Sequence, residues 1–366
     1  MRGLYAVGDD DIDQESIKNP SKRRGYDNGM AHPFLVKDIA FQAGLSAATV
    51  DRVLNGRPGV RRQTEMRVKA AITELEKQAG ADVAGRKRTI DIVMETPERF
   101  STAVRAAFEA EVATFLPTVF RCRFHFAEVM RAAELVQLLD RIRLRGTHGI
   151  VLKAPDVPDI VAAVARLDAA DIPVVTLVTD LPNSARSAYA GADNRAAGET
   201  AAYLIGRLIG PSGGKALVTL SSGRFRGEEE REIGFRRVIR AHYPSIGIIE
   251  VSEGHGTDAA TGTLVSAALA GDPAINAVYS VGGGNRAVLA AFEAAGRSVS
   301  VFVAHDLDAD NRALLAERRI DFVLHHDLRT DARSAFRAIM ARAIPTNRTA
   351  FSAVEIVTLY NMPAPQ

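Results

Sequence analysis

Short runs rich in β-branched residues alternate strictly with Ala-rich runs of helical length from Thr89 onward. This alternation restricts the fold, because parallel strands are joined by crossovers, usually helices, that cover both faces of a sheet. The predicted strands are 89–94, 149–152, 173–178, 188–190, 216–220, 246–251, 277–281, 300–304 and 322–325. The predicted helices are 103–115, 132–144, 159–169, 196–209, 228–242, 257–270, 286–295 and 309–317. The sequence therefore predicts, for residues 89–366, an α/β fold with two doubly wound parallel-sheet lobes.

The residues before this region differ from it in composition and in hydrophobic periodicity. Residues 1–33 are highly charged and show no hydrophobic period, which predicts a disordered extension. Residues 34–80 contain three closely spaced helical patterns, which predict a small all-α domain. Residues 81–88 are interpreted as a hinge linker. The chain is thus expected to place an all-α domain ahead of the α/β lobes.

The spacing within residues 34–80 is that of a helix-turn-helix. Val36, Ile39 and Ala40 form the apolar stripe of a first helix, and Gly44 permits a tight turn after it. Ser46 is placed to cap a second helix. The outer face of that helix, which in such motifs enters the major groove, carries Ala47, Ala48, Asp51 and Arg52.

These outward residues have both a DNA-reading and a plain solvent-facing interpretation. Arg52 can form a bidentate pair with guanine or simply solvate a helix face, and the alanines can contact a thymine methyl or face water. Residues 34–88 hold eleven Lys or Arg against six Asp or Glu, so positive charge is concentrated here. Side chains better suited to phosphates than to bases are Thr49, Asn55, Arg57, Arg61 and Arg62.

The run VKDIAFQAGLSAATVDRVLNGRPGVRRQTEMRVKAAITELE resembles the LacI/GalR family of bacterial repressors. Weaker motifs extend this resemblance over nearly all of 34–366. The resemblance implies a sequence-specific DNA-binding regulator that works as a homodimer. By analogy, the base-reading positions are Ala47, Ala48 and Arg52, and the phosphate-contact or capping positions are Ser46, Thr49 and Asn55.

Two features depart from the family pattern. Asp51 replaces the usual Ser or Thr, and its carboxylate repels phosphate unless Arg52 or a cytosine amino group engages it. The hinge is shorter than the family's and lacks its apolar helix, which in relatives inserts a side chain into the minor groove. Val83 is the candidate for that insertion here, and Arg86 and Lys87 are candidates for electrostatic contacts.

Several polar residues fall at the carboxyl ends of predicted strands, where ligands bind in open α/β sheets. The family resemblance extends to type I periplasmic binding proteins and implies that the ligand contacts are Asp193, Arg231, Asn285, Asp306 and His326. Carboxylates and an arginine in one cleft suit vicinal hydroxyls, which favours a sugar or polyol effector. Phe100 and Phe225 can stack on a sugar ring or belong to the core.

Each of these positions also has a structural alternative. Asp193 can cap the following helix, Arg231 can pair with Glu228 or Glu232, and Asp306 can begin a turn. Lobe motion is expected to pivot on three crossovers, near 204–208, near His326 and between 343 and 354.

Other functional classes find little support in the sequence. GPSGGKA at 210–216 lacks the spacing of a phosphate-binding loop, and no nucleophile-base pattern indicates an enzyme. The single cysteine, Cys122, and the scattered histidines predict neither a metal site nor a cofactor. Without an apolar membrane span or an export signal, the expected location is the cytoplasm. The competing interpretation is a sugar-binding component of a transport or sensing system.

Overall fold

The computed structural model describes residues 34–83, 87–341 and 351–364, and for 76–83 it describes the backbone alone. The chain separates into two compact units at Val83. The predicted disordered extension, 1–33, lies outside the described residues, as does Arg86.

Three helices form the first unit: α1 (Val36–Ala43), α2 (Ala47–Leu54) and α3 (Arg62–Val83). Gly44 ends α1 in the left-handed region with φ of 60°, a conformation that glycine adopts without steric strain. Ile39, Val50 and Val68 bring one buried side chain from each helix into a common core. The predicted helix-turn-helix is therefore present.

The third helix is longer than the sequence indicated. It continues to Val83, and the first strand of the second unit begins at Lys87. The segment interpreted as a hinge linker, 81–88, is consequently helical at 81–83 and extended at 87–88. Its central residues, 84–86, lie outside the described part of the chain.

Two sheets organise the second unit into two lobes. In the described residues, the sheet of lobe 1 has five parallel strands: β1 (Lys87–Glu95), β2 (Val119–Ala127), β3 (Ile150–Lys153), β4 (Val174–Leu177) and β5 (Ala188–Ala190). Their order in the sheet is β2-β1-β3-β4-β5. The helices that connect them are α4 (Glu98–Val112), α5 (Ala132–Arg145) and α6 (Pro158–Ala169).

Lobe 2 repeats this arrangement. Its elements are α7 (Asn194–Ile209), β6 (Gly214–Thr219), α8 (Arg226–His242), β7 (Ile246–Val251), α9 (Asp258–Gly271), β8 (Ile275–Ser280), α10 (Asn285–Ala294), β9 (Val301–His305), α11 (Ala309–Ala316) and β10 (Phe322–His325). The chain then returns to lobe 1 as α12 (Leu328–Met340), which packs on α4 and β5, before β11 (Glu355–Val357) pairs antiparallel with β10. The described strands follow the order β11-β10-β9-β8-β6-β7.

Both sheets reverse their strand order at equivalent places. The reversal lies between β1 and β3 in lobe 1 and between β6 and β8 in lobe 2. Ligands of open α/β sheets bind at the carboxyl ends of the strands beside such a reversal. Those strands end at Glu95 and Lys153 in lobe 1 and at Thr219 and Ser280 in lobe 2. The fold thus directs a binding site to the crevice between the lobes.

The sequence missed two strands, β2 and β11. In β2 the alternating Arg123 and His125 concealed a strand that lies at the edge of the sheet and is mostly half-buried. Both side chains contact Asp91 of the neighbouring β1: Arg123 Nη2 lies 2.6 Å from Oδ2, and His125 Nε2 lies 2.8 Å from Oδ1. Asp91 is fully buried. These contacts let a polar segment join the sheet.

One of the three predicted crossovers is misplaced. Residues 204–208 lie inside α7, where Ile205 is buried in the core of lobe 2. The chain instead passes between the lobes at 191–193, from β5 to α7. The second crossover lies at His326 and Asp327, as predicted. The third joins α12 to β11 and falls partly outside the described residues.

Candidate functional site

The exposed face of α2 is the candidate DNA-reading surface. Ser46 caps the helix, because its Oγ accepts from the Thr49 amide at 3.2 Å and lies 2.8 Å from the Thr49 hydroxyl. Ala47, Ala48 and Arg52 are exposed. Among the described residues, Arg52 has neither a hydrogen-bond nor an ion-pair partner. This face therefore presents two methyl groups and one unengaged guanidinium.

Asp51 is neutralised by residues of its own unit. Asn55 Nδ2 donates to its Oδ1 at 2.8 Å, and Arg57 Nη1 lies 3.1 Å from its Oδ2. The sequence analysis named Arg52 or a cytosine amino group as the groups that would have to engage this carboxylate, whereas Asn55 and Arg57 engage it here. Two predicted phosphate contacts, Asn55 and Arg57, therefore bind Asp51 in this structure. The other two, Arg61 and Arg62, are exposed at the start of α3.

A cleft with a cavity volume of about 60 Å³ lies between the two lobes of the second unit. Lobe 1 contributes Thr96, Pro97, Arg99, Phe100, Lys153, Val178 and Thr179. Lobe 2 contributes Ser221, Phe225, Gly227, Glu228, Arg231, Val281, Gly282, Gly283, His305, Asp306, Asp308 and Asn311. These residues follow or end the strands beside each reversal of strand order.

Arg231 lines this cleft from α8, although it is only 4% exposed. Its Nε donates to Asn194 Oδ1 at 2.8 Å. The alternative partners proposed from sequence are engaged elsewhere: Glu228 accepts from the Ser221 amide at 2.6 Å, and Glu232 pairs with Arg236. In the described part of the chain, the terminal nitrogens of the Arg231 guanidinium have no partner, so they are available to a ligand.

Asp306 lines the cleft directly after β9, and the buried side chain of His326 contacts it. His326 is buried, with Nδ1 2.6 Å from Asp331 Oδ2 and Nε2 3.5 Å from Asp306 Oδ1. Burial favours the neutral imidazole, but the two carboxylates outweigh it and raise the pKa of His326 to about 9. Burial likewise opposes ionisation of Asp306, yet His326 and Arg231 lower its pKa. Asp306 is therefore a charged acceptor, and the His326 imidazolium forms an ion pair with it without lining the cleft.

The raised pKa of His326 predicts that stability falls in mildly alkaline solution. Between about pH 6.5 and 9 the folded state holds a proton that the unfolded state has released, so the free energy of unfolding decreases as the pH rises. We expect a loss of about 1–3 kcal/mol, measured by calorimetry at pH 6.5 and 9.5. Burial lowers the pKa values of His305 and His325, so they titrate below this window. His326→Gln should flatten the slope, and an unchanged slope would contradict the assignment.

Besides His326, two more of the predicted ligand contacts do not line the cleft. Asp193 caps α7 by accepting from the Ala196 amide at 3.0 Å, and it lies in a separate depression. Asn285 begins α10 and donates to Asn311 Oδ1 at 2.6 Å. Asn311 does line the cleft. Asn285 can thus affect a ligand in the cleft only through its contact with Asn311.

Arg99 reaches the cleft from the first turn of α4 and contacts the opposite lobe. Its Nε lies 3.0 Å from Asp308 Oδ2, and its Nη1 donates to the Gly256 carbonyl at 2.6 Å. Gly283 lies beside this guanidinium with φ of 89°, where a Cβ would be strained and would lie 1.7 Å from Arg99 Nη2, so a larger residue would displace Arg99. Arg99 was not predicted as a site residue, because the predicted helix began four residues later, at 103.

Lys153, at the end of β3, was also missed, although its place after a buried strand was a usable signal. Its Nζ donates to the Glu95 carbonyl at 2.8 Å and lies 3.9 Å from the centre of the Phe225 ring. Burial lowers the pKa of Lys153. Phe225 and Phe100 both line the cleft, so each offers an apolar surface beside the polar groups.

The described residues form neither a metal-binding cluster nor a membrane-spanning helix. No group of three or more His, Cys, Asp or Glu in 34–83, 87–341 and 351–364 is arranged to hold a metal ion. Within the same residues, no helix has the length and apolar character to span a membrane.

Comparisons with known families cover both units. Residues 90–344, more than half of the chain, match the family described as the periplasmic binding protein domain. Residues 35–76 match the bacterial regulatory proteins of the lacI family.

Two streptomycete regulators are similar in sequence. One is described as an uncharacterized HTH-type transcriptional regulator in the aml 5' region of Streptomyces limosus; it is 31% identical over 44% of this chain and 46% of its own length. The HTH-type transcriptional regulator reg1 of Streptomyces lividans is 28% identical over 56% of this chain and 58% of its own length. The chain therefore spans about half the length of the curated relatives it matches.

Solved structures resemble the second unit in fold. GanP, a glucose-galactose binding protein from Geobacillus stearothermophilus, has a TM-score of 0.68 at 18% identity, covering 76% of this chain and 99% of that one. A putative LacI transcriptional regulator from Bacteroides fragilis has a TM-score of 0.66 at 15% identity, covering 75% and 98%. At these identities the likeness concerns the fold alone.

Proposed function

The chain belongs to the LacI/GalR family of bacterial regulators, and from that premise we propose that it is a sequence-specific DNA-binding transcriptional repressor. A small carbohydrate bound between the lobes of its second unit controls its affinity for the operator. The observation that carries this proposal is the capped helix α2, whose exposed face holds Arg52 without a protein partner in the described residues.

The chemistry of α2 supports base reading. An exposed guanidinium can form a bidentate pair with guanine in the major groove, and the Ala47 and Ala48 methyl groups can contact thymine. The internal neutralisation of Asp51 by Arg57 removes a charge that would otherwise repel phosphate. Arg61 and Arg62 add positive charge for the backbone.

The chemistry of the cleft supports a neutral ligand rich in hydroxyl groups. Its lining contains three cations and three carboxylates, namely Arg99, Lys153, Arg231, Glu228, Asp306 and Asp308. Such a balanced set favours neither an anion nor a cation, whereas hydroxyl groups can both donate to and accept from it. Structural neighbours such as the glucose-galactose binding protein GanP agree with a sugar.

We place the protein in the cytoplasm as a homodimer. One recognition helix reads few base pairs, and a twofold pair reads a pseudopalindrome. Ligand bound between the lobes stabilises their closed arrangement. By linkage, the affinity for DNA then changes by the ratio of the ligand affinities of the two states.

A sugar-binding component of a transport or sensing system is the alternative. Residues 87–341 resemble solute-binding proteins as much as regulators. The helix-turn-helix at 36–54 favours the regulator, because solute capture has no use for it.

Arg52→Ala tests the DNA-reading helix. The full chain is first used to select its preferred duplex from a random library, and affinity for that duplex is then measured by fluorescence anisotropy at moderate salt. We expect the variant to bind more weakly by about 1–3 kcal/mol, the discrimination of one bidentate base contact.

Arg141→Ala is the matched control for this experiment. It removes the same charge from an exposed position on α5 of the other unit, so binding should stay at the wild-type level. Wild-type affinity in Arg52→Ala would refute the recognition-helix assignment. Failure of the full chain to enrich any duplex would refute the regulator itself.

A further inference from the structure

We infer that the interlobe contacts of Arg99 and Arg224 form a latch that holds the lobes too close together for a sugar ring to enter the cleft. This inference rests on the proposed sugar-responsive function and specifies how that site is regulated. The cleft has a cavity volume of about 60 Å³. A water molecule takes about 30 Å³ in the liquid, so this space holds about two of them, and a monosaccharide is several times bulkier. The lobes must therefore separate before a sugar can bind between them.

Arg99 of lobe 1 makes the first set of latch contacts. Its Nε lies 3.0 Å from Asp308 Oδ2, its Nη1 donates to the Gly256 carbonyl at 2.6 Å, and its Nη2 donates to the Gly282 carbonyl at 3.4 Å. The Asp308 side chain is 6% exposed, so solvent screens this ion pair little. One guanidinium of lobe 1 is thus held by three acceptors of lobe 2.

Arg224 of lobe 2 makes the second set. Its Nη2 lies 2.7 Å from Glu95 Oε1 of lobe 1, and the Glu95 side chain is buried. The Arg224 carbonyl also accepts from the Asp156 amide of lobe 1 at 3.1 Å. Hydrogen bonds between charged groups are the stronger ones, so both arginines favour the narrow arrangement of the lobes.

The latch and the sugar oppose each other. A sugar binds only when the lobes are further apart than they are here, and the lobes then close on it at that wider spacing. The measured affinity is therefore reduced by the small fraction of molecules in the wider arrangement. Loss of a latch contact raises this fraction. It should raise the affinity wherever the lost side chain does not itself line the cleft, a condition that Arg224 meets and Arg99 does not.

Hydrogen exchange at the Asp156 amide in Arg99→Met tests whether the latch holds the lobes together. This amide bonds to the Arg224 carbonyl of the other lobe, and in the described residues Arg99 makes no hydrogen bond or ion pair with either residue. Faster exchange there consequently reports separation of the lobes. We expect a rate at least about tenfold above that of the wild type, measured on the full chain by mass spectrometry.

Sugar affinity in Arg224→Met tests whether the latch opposes the effector. The probe is whichever of glucose, galactose, arabinose and fructose most raises the melting temperature of the wild type or the variant. In calorimetric titrations of the full chain, we expect the variant to bind this sugar about tenfold more tightly than the wild type, the effect of one hydrogen bond to a charged group.

Arg286→Met is the matched control for both measurements. It removes an arginine of lobe 2 whose ion-pair partner, Asp310, lies 2.7 Å away in the same lobe. The exchange rate at Asp156 and the sugar affinity should both stay at their wild-type values.

The two measurements separate the latch from the function on which it rests. Wild-type exchange at Asp156 in Arg99→Met would overturn the latch and leave the sugar effector standing, and so would a sugar affinity in Arg224→Met at or below that of the wild type. Binding of none of the sugars to either protein would overturn the sugar effector, while the exchange rate would still decide whether the latch exists. If Arg99→Met does not fold, Asp308→Asn takes its place, since asparagine also caps α11 but does not carry the charge that Arg99 pairs with.

Discussion

Asp306→Asn is expected to lower the affinity for the effector about 100-fold and so to abolish the ligand response. Asp306 lines the cleft as a charged acceptor, held by His326 and near Arg231. Hydrogen bonds to a charged group contribute roughly 1.5–3 kcal/mol each, and a carboxylate can accept from two neighbouring hydroxyls. Asparagine keeps the shape but loses the charge and one acceptor oxygen.

Asparagine is the informative replacement because of the backbone. Asp306 has φ of 64°, in the left-handed region that asparagine adopts more readily than alanine. Affinity is measured by calorimetry with the sugar that most raises the melting temperature of the wild type. Binding to the selected duplex without sugar should not change.

Asp310→Asn provides the control for the same chemical change. Asp310 lies on the first turn of α11, outside the cleft lining, and pairs with Arg286. Its replacement should leave effector affinity at the wild-type value. If Asp306→Asn also retained that value, Asp306 would have to be removed from the ligand site.

Gly198→Ala is expected to destabilise the second unit by about 3 kcal/mol, at the upper end of overpacking substitutions. Gly198 lies where α7 crosses α8, and a Cβ there would lie 1.9 Å from the backbone oxygen of Arg231. Backbone atoms cannot rotate away as side chains do, so the two helices must separate. Because Arg231 lines the cleft, effector affinity should fall together with stability.

Calorimetric melting of the full chain measures this effect. Gly271→Ala is the matched control, since its added Cβ meets no atom within 4 Å at the end of α9. It should leave stability unchanged or raise it by about 0.5–1 kcal/mol, because alanine loses less chain entropy than glycine. Equal melting temperatures for the two variants would show that the α7–α8 contact tolerates expansion.

Much of the fold was predictable because its signals are local. The limits of β5, β7 and β10 agree with the sequence prediction. The caps at Ser46 and Asp193 also follow from spacing, since each side chain reaches an amide three residues ahead. The sequence prediction placed the start of this helix at 103 instead of Glu98, and it therefore missed the role of Arg99.

The candidate site was less predictable. Asp193 and Asp306 looked alike in the sequence, because each follows a strand and precedes a helix. The structure gives the first a capping role and brings the second to the cleft. Arg231 was predicted and lines the cleft, whereas Lys153 was not predicted and does.

The sequence by itself determined the order of helices and strands, the helix-turn-helix and the two-lobed α/β class, because periodicity and capping act over a few residues. The tertiary structure alone decided which side chains meet. Arg224 and Glu95 are 129 positions apart, and Arg99 contacts Asp308 across the cleft. Such contacts depend on which strands adjoin and how the lobes face each other, and no local pattern encodes those distances.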